Sequence, residues 1–145
     1  TNVCAAVADT SMAEFPFIND QTLYTWHAPS EDEAWYVCGM LNSDLINKEI
    51  KRYQPSGLFG EQHVHKLPLS LIPKFNRNSD KHTTLAKEAK RVAQVAKKLC
   101  KKDRRYLNVG KSLASRRRLF LKKLAPELKK LNKLAREVVG EGRSL

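Results

Sequence analysis

Residues Leu41–Phe75 read LNSDLINKEIKRYQPSGLFGEQHVHKLPLSLIPKF, and the turn from a helical to an extended pattern inside them decides the fold expected of the chain. From Ser43 to Tyr53, helical spacing puts Leu45, Ile46 and Ile50 on one face and Lys48, Lys51 and Arg52 on the other. Gln54-Pro55-Ser56-Gly57 ends that helix. Beyond it, Pro68 and Pro73 flank LPLSLIP; each lacks an amide donor and fixes φ, which forbids a helix across the run. Gly57–Phe75 is therefore expected to lie extended, as an edge strand or strand-like loop. Polar residues stand at its front: Glu61, Gln62, His63, His65 and Lys66.

Upstream, Val3 to Ala8 is an apolar run of strand length, closed by the turn formers Asp9, Thr10 and Ser11. Phe15 to Ile18 and Thr22 to His27 read as two further short strands, the second rich in β-formers. Ser30 then opens a helix, with Glu33 three residues on completing a capping box and acids in the first turn. Ala34, Val37, Cys38 and Leu41 recur at helical spacing, and the helix pauses at Asn42-Ser43. Downstream, Ser79 or Asp80 caps an amphipathic helix over Lys81 to Lys101, with the stripe Leu85, Ala89, Val92, Ala96, Leu99. Leu121, Leu124, Leu128, Leu131, Leu134 and Val138 mark another, in which Pro126 demands a kink or a restart. This leucine face needs a partner: the preceding helix as a hairpin, a domain outside the chain, or a second copy. Strands first and helices later predict an α+β fold. It comprises a small strand-rich recognition domain with two helices over 1–78, then a long amphipathic, basic helical tail over 79–145, hairpin or coiled-coil-like.

Charge is divided unevenly. Residues 1–73 hold four Lys+Arg against nine Asp+Glu, whereas 74–145 hold 23 against six, so the second half carries the whole of the net +12 and more. Such asymmetry points to a polyanion, and to nucleic acid first, because neutralised phosphates release counterions. The densest cluster is Arg116-Arg117-Arg118 with Lys111, Lys122 and Lys123, interleaved with Leu113, Leu119, Phe120 and Leu121. A membrane-surface helix has this pattern too, but the acidic first half fits DNA better. No run approaches the roughly 20 apolar residues of a membrane span. Three widely spaced cysteines, Cys4, Cys38 and Cys100, suggest neither a zinc site nor a disulfide framework, and a cytoplasmic setting is expected. The chain opens in mid-pattern, without Met, and is read as part of a larger protein.

The helix with LNS, followed by GLFG..H.HKLP (Gly57–Pro68) and IPKF (Ile72–Phe75), resembles the C-terminal target-recognition region of restriction-modification adenine N-6 DNA methyltransferases, TaqI-like and related enzymes. The resemblance spans about Trp26 to Lys87. It implies a module that chooses the DNA site for a catalytic domain outside this chain. No Asn-Pro-Pro-Tyr element for a flipped adenine is present, nor a glycine-rich cofactor loop after a strand. The chain alone is thus expected to be non-catalytic and to hold no metal or cofactor, S-adenosylmethionine belonging to the missing domain. The parent enzyme would methylate adenine, with or without endonuclease activity.

The resemblance makes Gln62, His63, His65 and Lys66 the candidates for groove or phosphate contacts, since Gln reads adenine in bidentate fashion and Lys reaches guanine or phosphate. His63 and His65 share one face of an extended chain, and a metal pair with His27 or Glu61, a general base, or structural imidazoles remain alternatives. Lys48, Lys51 and Arg52 are candidate phosphate positioners, as are Lys74 in IPKF and Arg116, Arg117, Arg118 and Lys122 in the tail. Each of these runs also fits a solvated helix face. Trp35 and Tyr36 are expected to pack rather than stack on bases. Expected partners are double-stranded DNA and the upstream methyltransferase domain, with self-association through the leucine stripe as a further option. The rival reading is an assembly module, its basic helices a coiled-coil spacer like that of type I specificity subunits. RNA binding is weakened by the lack of RNA-binding motifs.

Overall fold

The structure, a computed structural model, describes residues 4–9, 25–53, 71–102 and 112–142. Among them stand four helices and no strand: α1 (Glu31–Leu41), α2 (Asp44–Tyr53), α3 (Asp80–Lys102) and α4 (Leu113–Gly142). Each helix follows a serine that does the same job. Ser30, Ser43, Ser79 and Ser112 accept, through Oγ, the N–H of the residue three places on, at 3.3, 3.4, 3.5 and 3.2 Å. A serine cap satisfies one of the four amides that a helix start leaves without an intrahelical acceptor. Pro126 lies inside the continuous helix α4, which loses one backbone hydrogen bond there.

The expected α+β fold is corrected by these elements. Of the four expected extended runs, Phe15 to Ile18 lies outside the described residues, as do much of Gly57–Phe75 and the first half of Thr22 to His27, whose described part, residues 25–27, forms no strand. Where the extended pieces are described, side chains of helices take the place of a neighbouring strand. Asn42 accepts the Ala5 N–H on Oδ1 at 3.2 Å and donates from Nδ2 to the Ala5 carbonyl at 2.8 Å. The Cys38 thiol donates to the same carbonyl at 3.5 Å. In IPKF, the Pro73 carbonyl accepts the Tyr36 hydroxyl at 2.8 Å, and the Asn76 N–H donates to His82 Nδ1 at 3.0 Å. Backbone polar groups must be paired wherever water is excluded. Pairing them with Asn, Tyr and His lets extended backbone lie on a helical bundle with no sheet.

One core joins the helices: Tyr36 and Met40 of α1, Ile46 of α2, Leu85, Ala86 and Ala89 of α3, and Leu131, Ala135 and Val138 of α4. It draws on both sides of residue 78. The expected stripe of α1 is only part of its buried surface, since Tyr36 and Met40 are its most deeply buried residues. The reason is that α1 is covered both by α3 and by the strap at Ala5. At Gly39 α1 comes close to α3. A Cβ built there would stand 3.0 Å from the Cβ of Ala89 and within 3.6 Å of Leu85 and Leu131. Beside it Tyr36 stacks on His82, ring centroids 4.8 Å apart, with Phe75 tilted against both rings. Burial holds the Tyr36 hydroxyl well above the ordinary tyrosine range and also raises the Cys38 thiol. Neither is poised to ionise.

α2 docks on α4 through its first residue. The Asp44 N–H donates to Asn132 Oδ1 at 2.9 Å, and its Oδ2 accepts from Arg136 at 2.6 Å. α3 and α4 form a hairpin whose direction is fixed by two ion pairs. Arg91 meets Glu127, and three residues further back Glu88 accepts Lys130 at 3.0 Å, so the two helices run antiparallel.

Candidate nucleic-acid interface

The hairpin's charges sort by position along it. The acidic residues of its two helices are Asp80, Glu88, Glu127, Glu137 and Glu141, all in the half where α1 and α2 also pack. Glu88 is buried, 5% exposed, and accepts both Nε and a terminal nitrogen of Arg91 at 3.0 and 2.7 Å together with Lys130. Those hydrogen bonds, Arg91 first, hold its carboxyl below the usual range against the opposing effect of burial. The Arg91 guanidinium is correspondingly raised by Glu88 and Glu127. At the surface Lys90 reaches Glu31 of α1 at 2.6 Å; that bond and one from Trp35 lower the Glu31 carboxyl.

Beyond the Arg91–Glu127 pair the pattern ends. Residues 92–102 of α3 hold Lys97, Lys98, Lys101 and Lys102 and no acid; residues 113–126 of α4 hold Arg116, Arg117, Arg118, Lys122 and Lys123 and no acid. All nine are exposed except Arg116, which is half-buried, its Nε enclosed without a hydrogen-bond partner among the described residues. The register of the two ion pairs, carried along both helices, sets Lys102 level with Arg116. This distal half projects about 16 Å past Arg91, at 1.5 Å per residue. Its apolar seam is thin: Val92 and Leu124 are buried, Leu99, Leu119 and Phe120 only partly, while Leu121 and Leu113 are 44% and 73% exposed.

The candidate residues read from sequence fall into separate places. Arg116, Arg117, Arg118 and Lys122 share the distal end. Lys48 is exposed on α2 and within 3.6 Å of Asp44, which docks near Arg136, about 30 Å of helix away from Arg116. Lys51 and Arg52 lie in the last turn of α2. Lys74 is exposed between Pro73 and Phe75, close to the Tyr36–His82 stack. Gln62, His63, His65 and Lys66 lie outside the described residues. Trp35 is half-buried and packs against the core. The four lysines ending α3 were not singled out from sequence. The signal was present in KKLCKK, but its juxtaposition with Arg116–Arg118 is tertiary.

Among the described residues no group of three His, Cys, Asp or Glu stands ready to hold a metal, and no helix is long and apolar enough to cross a membrane. Comparison of the chain with protein-family models, with curated protein sequences and with solved structures finds no match.

Proposed function

We propose that the chain is a helical DNA-binding module, the target-recognition region of a restriction-modification adenine N-6 DNA methyltransferase, with methyl transfer carried out by a domain outside it. The observation that carries the reading is the surplus of exposed cations on α3 and α4 where, among the described residues, no carboxylate is paired with them. At the packed end Lys90, Arg91, Lys130 and Arg136 are paired with carboxylates of neighbouring helices, whereas the distal cations are open to an outside anion. A polyphosphate backbone supplies it with a large, salt-dependent affinity. The LNS and IPKF elements of the resemblance both take part in the bundle. Asn42 clamps Ala5, and IPKF is held by Tyr36 and His82. That supports a scaffold on which the intervening segment, Gln62 to Lys66 included, reads the site.

The test is titration of a labelled DNA duplex with the full chain at several salt concentrations. The logarithm of affinity should fall linearly with the logarithm of salt, by about 0.9 per phosphate neutralised. Flat salt dependence, or no binding at low salt, overturns the reading. A second reading, an assembly spacer, draws on the exposed Leu113 and Leu121. It requires concentration-dependent association in sedimentation, abolished by changing both leucines to Ser. Much of the expected leucine stripe, by contrast, is spent within the chain, with Leu124 and Leu131 buried.

A further inference from the structure

We infer that the distal half of the α3–α4 hairpin is a two-row phosphate clamp for duplex DNA, α3 supplying one row and α4 the other, and that it positions the duplex without reading its sequence. The inference rests on the DNA-binding reading above and gives it a place. Lys97, Lys98, Lys101 and Lys102 are exposed on the last two turns of α3. The antiparallel register brings the first turns of α4, with Arg117 and Arg118 exposed, to the same end. Neither stretch contains an acid that would quench its neighbours.

The geometry favours a duplex over other anions. Packed helices set their axes about 8–10 Å apart. That lies between the roughly 6 Å width of the minor groove and the roughly 12 Å of the major groove. One cation row per helix therefore reaches the phosphates on either side of a groove. Along a row, side chains four residues apart, such as Lys98 and Lys102, are spaced by about 6 Å of helix rise. Phosphates on one strand advance about 3.4 Å each along the duplex axis and lie farther apart along the strand itself, so the four-residue step is of the order of the spacing between phosphates at a groove edge. Lysine dominates α3 here, and as a flexible point charge it holds a backbone rather than a base edge. Single-stranded nucleic acid would need aromatic platforms for its bases. The one described aromatic ring at this end, Phe120, is half-buried.

The experiment compares three forms of the full chain: wild type, a tip variant (Lys97→Gln, Lys98→Gln, Lys101→Gln, Lys102→Gln) and a control (Arg77→Gln, Lys87→Gln, Lys129→Gln, Lys133→Gln). The two variants lose the same charge at opposite ends of the bundle. Circular dichroism and thermal unfolding verify that both fold. Each is titrated with labelled DNA duplexes of two unrelated sequences, with the matching single strand and with an RNA duplex. The expected result is a loss of about tenfold or more in duplex affinity for the tip variant, equal for both sequences, with a salt slope smaller by about 0.9 for each contact removed. The control should change less than threefold. If wild type binds and the tip variant binds equally well, or the control loses as much, the clamp is overturned while DNA binding stands. Tighter wild-type binding to single strands or to RNA overturns the choice of duplex DNA. Failure of wild type to bind any DNA overturns both this inference and the function on which it rests.

Discussion

The end of the molecule where four helices meet and the end where, among the described residues, only α3 and α4 continue treat the same residue types in opposite ways. At the first, Lys90, Arg91, Lys130 and Arg136 each hold a carboxylate of a neighbouring helix, and leucines and alanines close a common core. At the second, equally basic helices hold no carboxylate among the described residues, and a leucine at a stripe position, Leu121, is 44% exposed. Cations at the packed end therefore specify the fold. At the projecting end they only raise the positive potential, at some cost in mutual repulsion. A basic helix is thus not one kind of object: its meaning depends on whether acids are placed opposite it, which is a property of the partner helix.

Matched truncations put the strongest strain on this contrast. Leu85→Ala removes a fully buried side chain from the shared core and should cost about 2–5 kcal/mol in urea unfolding. Leu121→Ala, on the projecting end, should stay within about 0.5 kcal/mol of wild type. Equal losses at the two positions would mean that Leu121 is covered in solution. Gly39→Val comes next. The added side chain meets Ala89, whose Cβ would stand only 3.0 Å from the new Cβ, and the overpacking should cost about 1–3 kcal/mol. Pairing it with Ala89→Gly should return part of that loss, which a double-mutant cycle measures directly.

The smallest effect carries a pH signature. The Glu88 carboxyl is lowered in the folded protein, so its stabilisation is fully present above the unfolded carboxylate range, near pH 4–5, and is lost as pH falls through the lower folded value. Glu88→Gln should therefore cost about 1–2 kcal/mol at neutral pH, as for a hydrogen bond to a charged group. The wild-type and variant stability curves should converge as the medium becomes acidic. A constant gap across that range would show that the Arg91 and Lys130 contacts do not depend on the charge of Glu88.

How much of this was legible beforehand differs by element. Ser30 with Glu33, and the Leu85-Ala89-Val92 stripe, announced α1 and α3 to within a residue or so, because capping and amphipathic spacing are local properties. Val3–Ala8 and the Pro-flanked LPLSLIP were read as strands because such runs disfavour helix, yet Leu71 within the second is helical and only residues 73–76 run on extended. Nothing in such a run says whether its amides will meet another strand or the side chains of Asn42, Tyr36 and His82. In the tail the dense Arg116–Arg118 run was visible, whereas the contribution of Lys97–Lys102 depends on a hairpin register set by Glu88, Arg91, Glu127 and Lys130 across some 40 residues of chain. For the same reason the sequence did not tell how far the patch at Lys48 lies from the tail cluster, a separation of about 30 Å of helix in the fold.

The contact at Gly39 also has a mechanical meaning. Sliding α3 along α1 by one helical turn, about four residues, brings Leu85 toward the place of Ala89 in one direction and Ala93 in the other. The close approach at Gly39, where a Cβ would stand 3.0 Å from that of Ala89, leaves no room for the leucine, whereas Ala93 is no larger than the residue it would replace. A glycine facing an alanine therefore acts as a one-way tooth: shear between packed helices, one of the common ways in which bundles move, is blocked at α1–α3 in one direction and left open in the other.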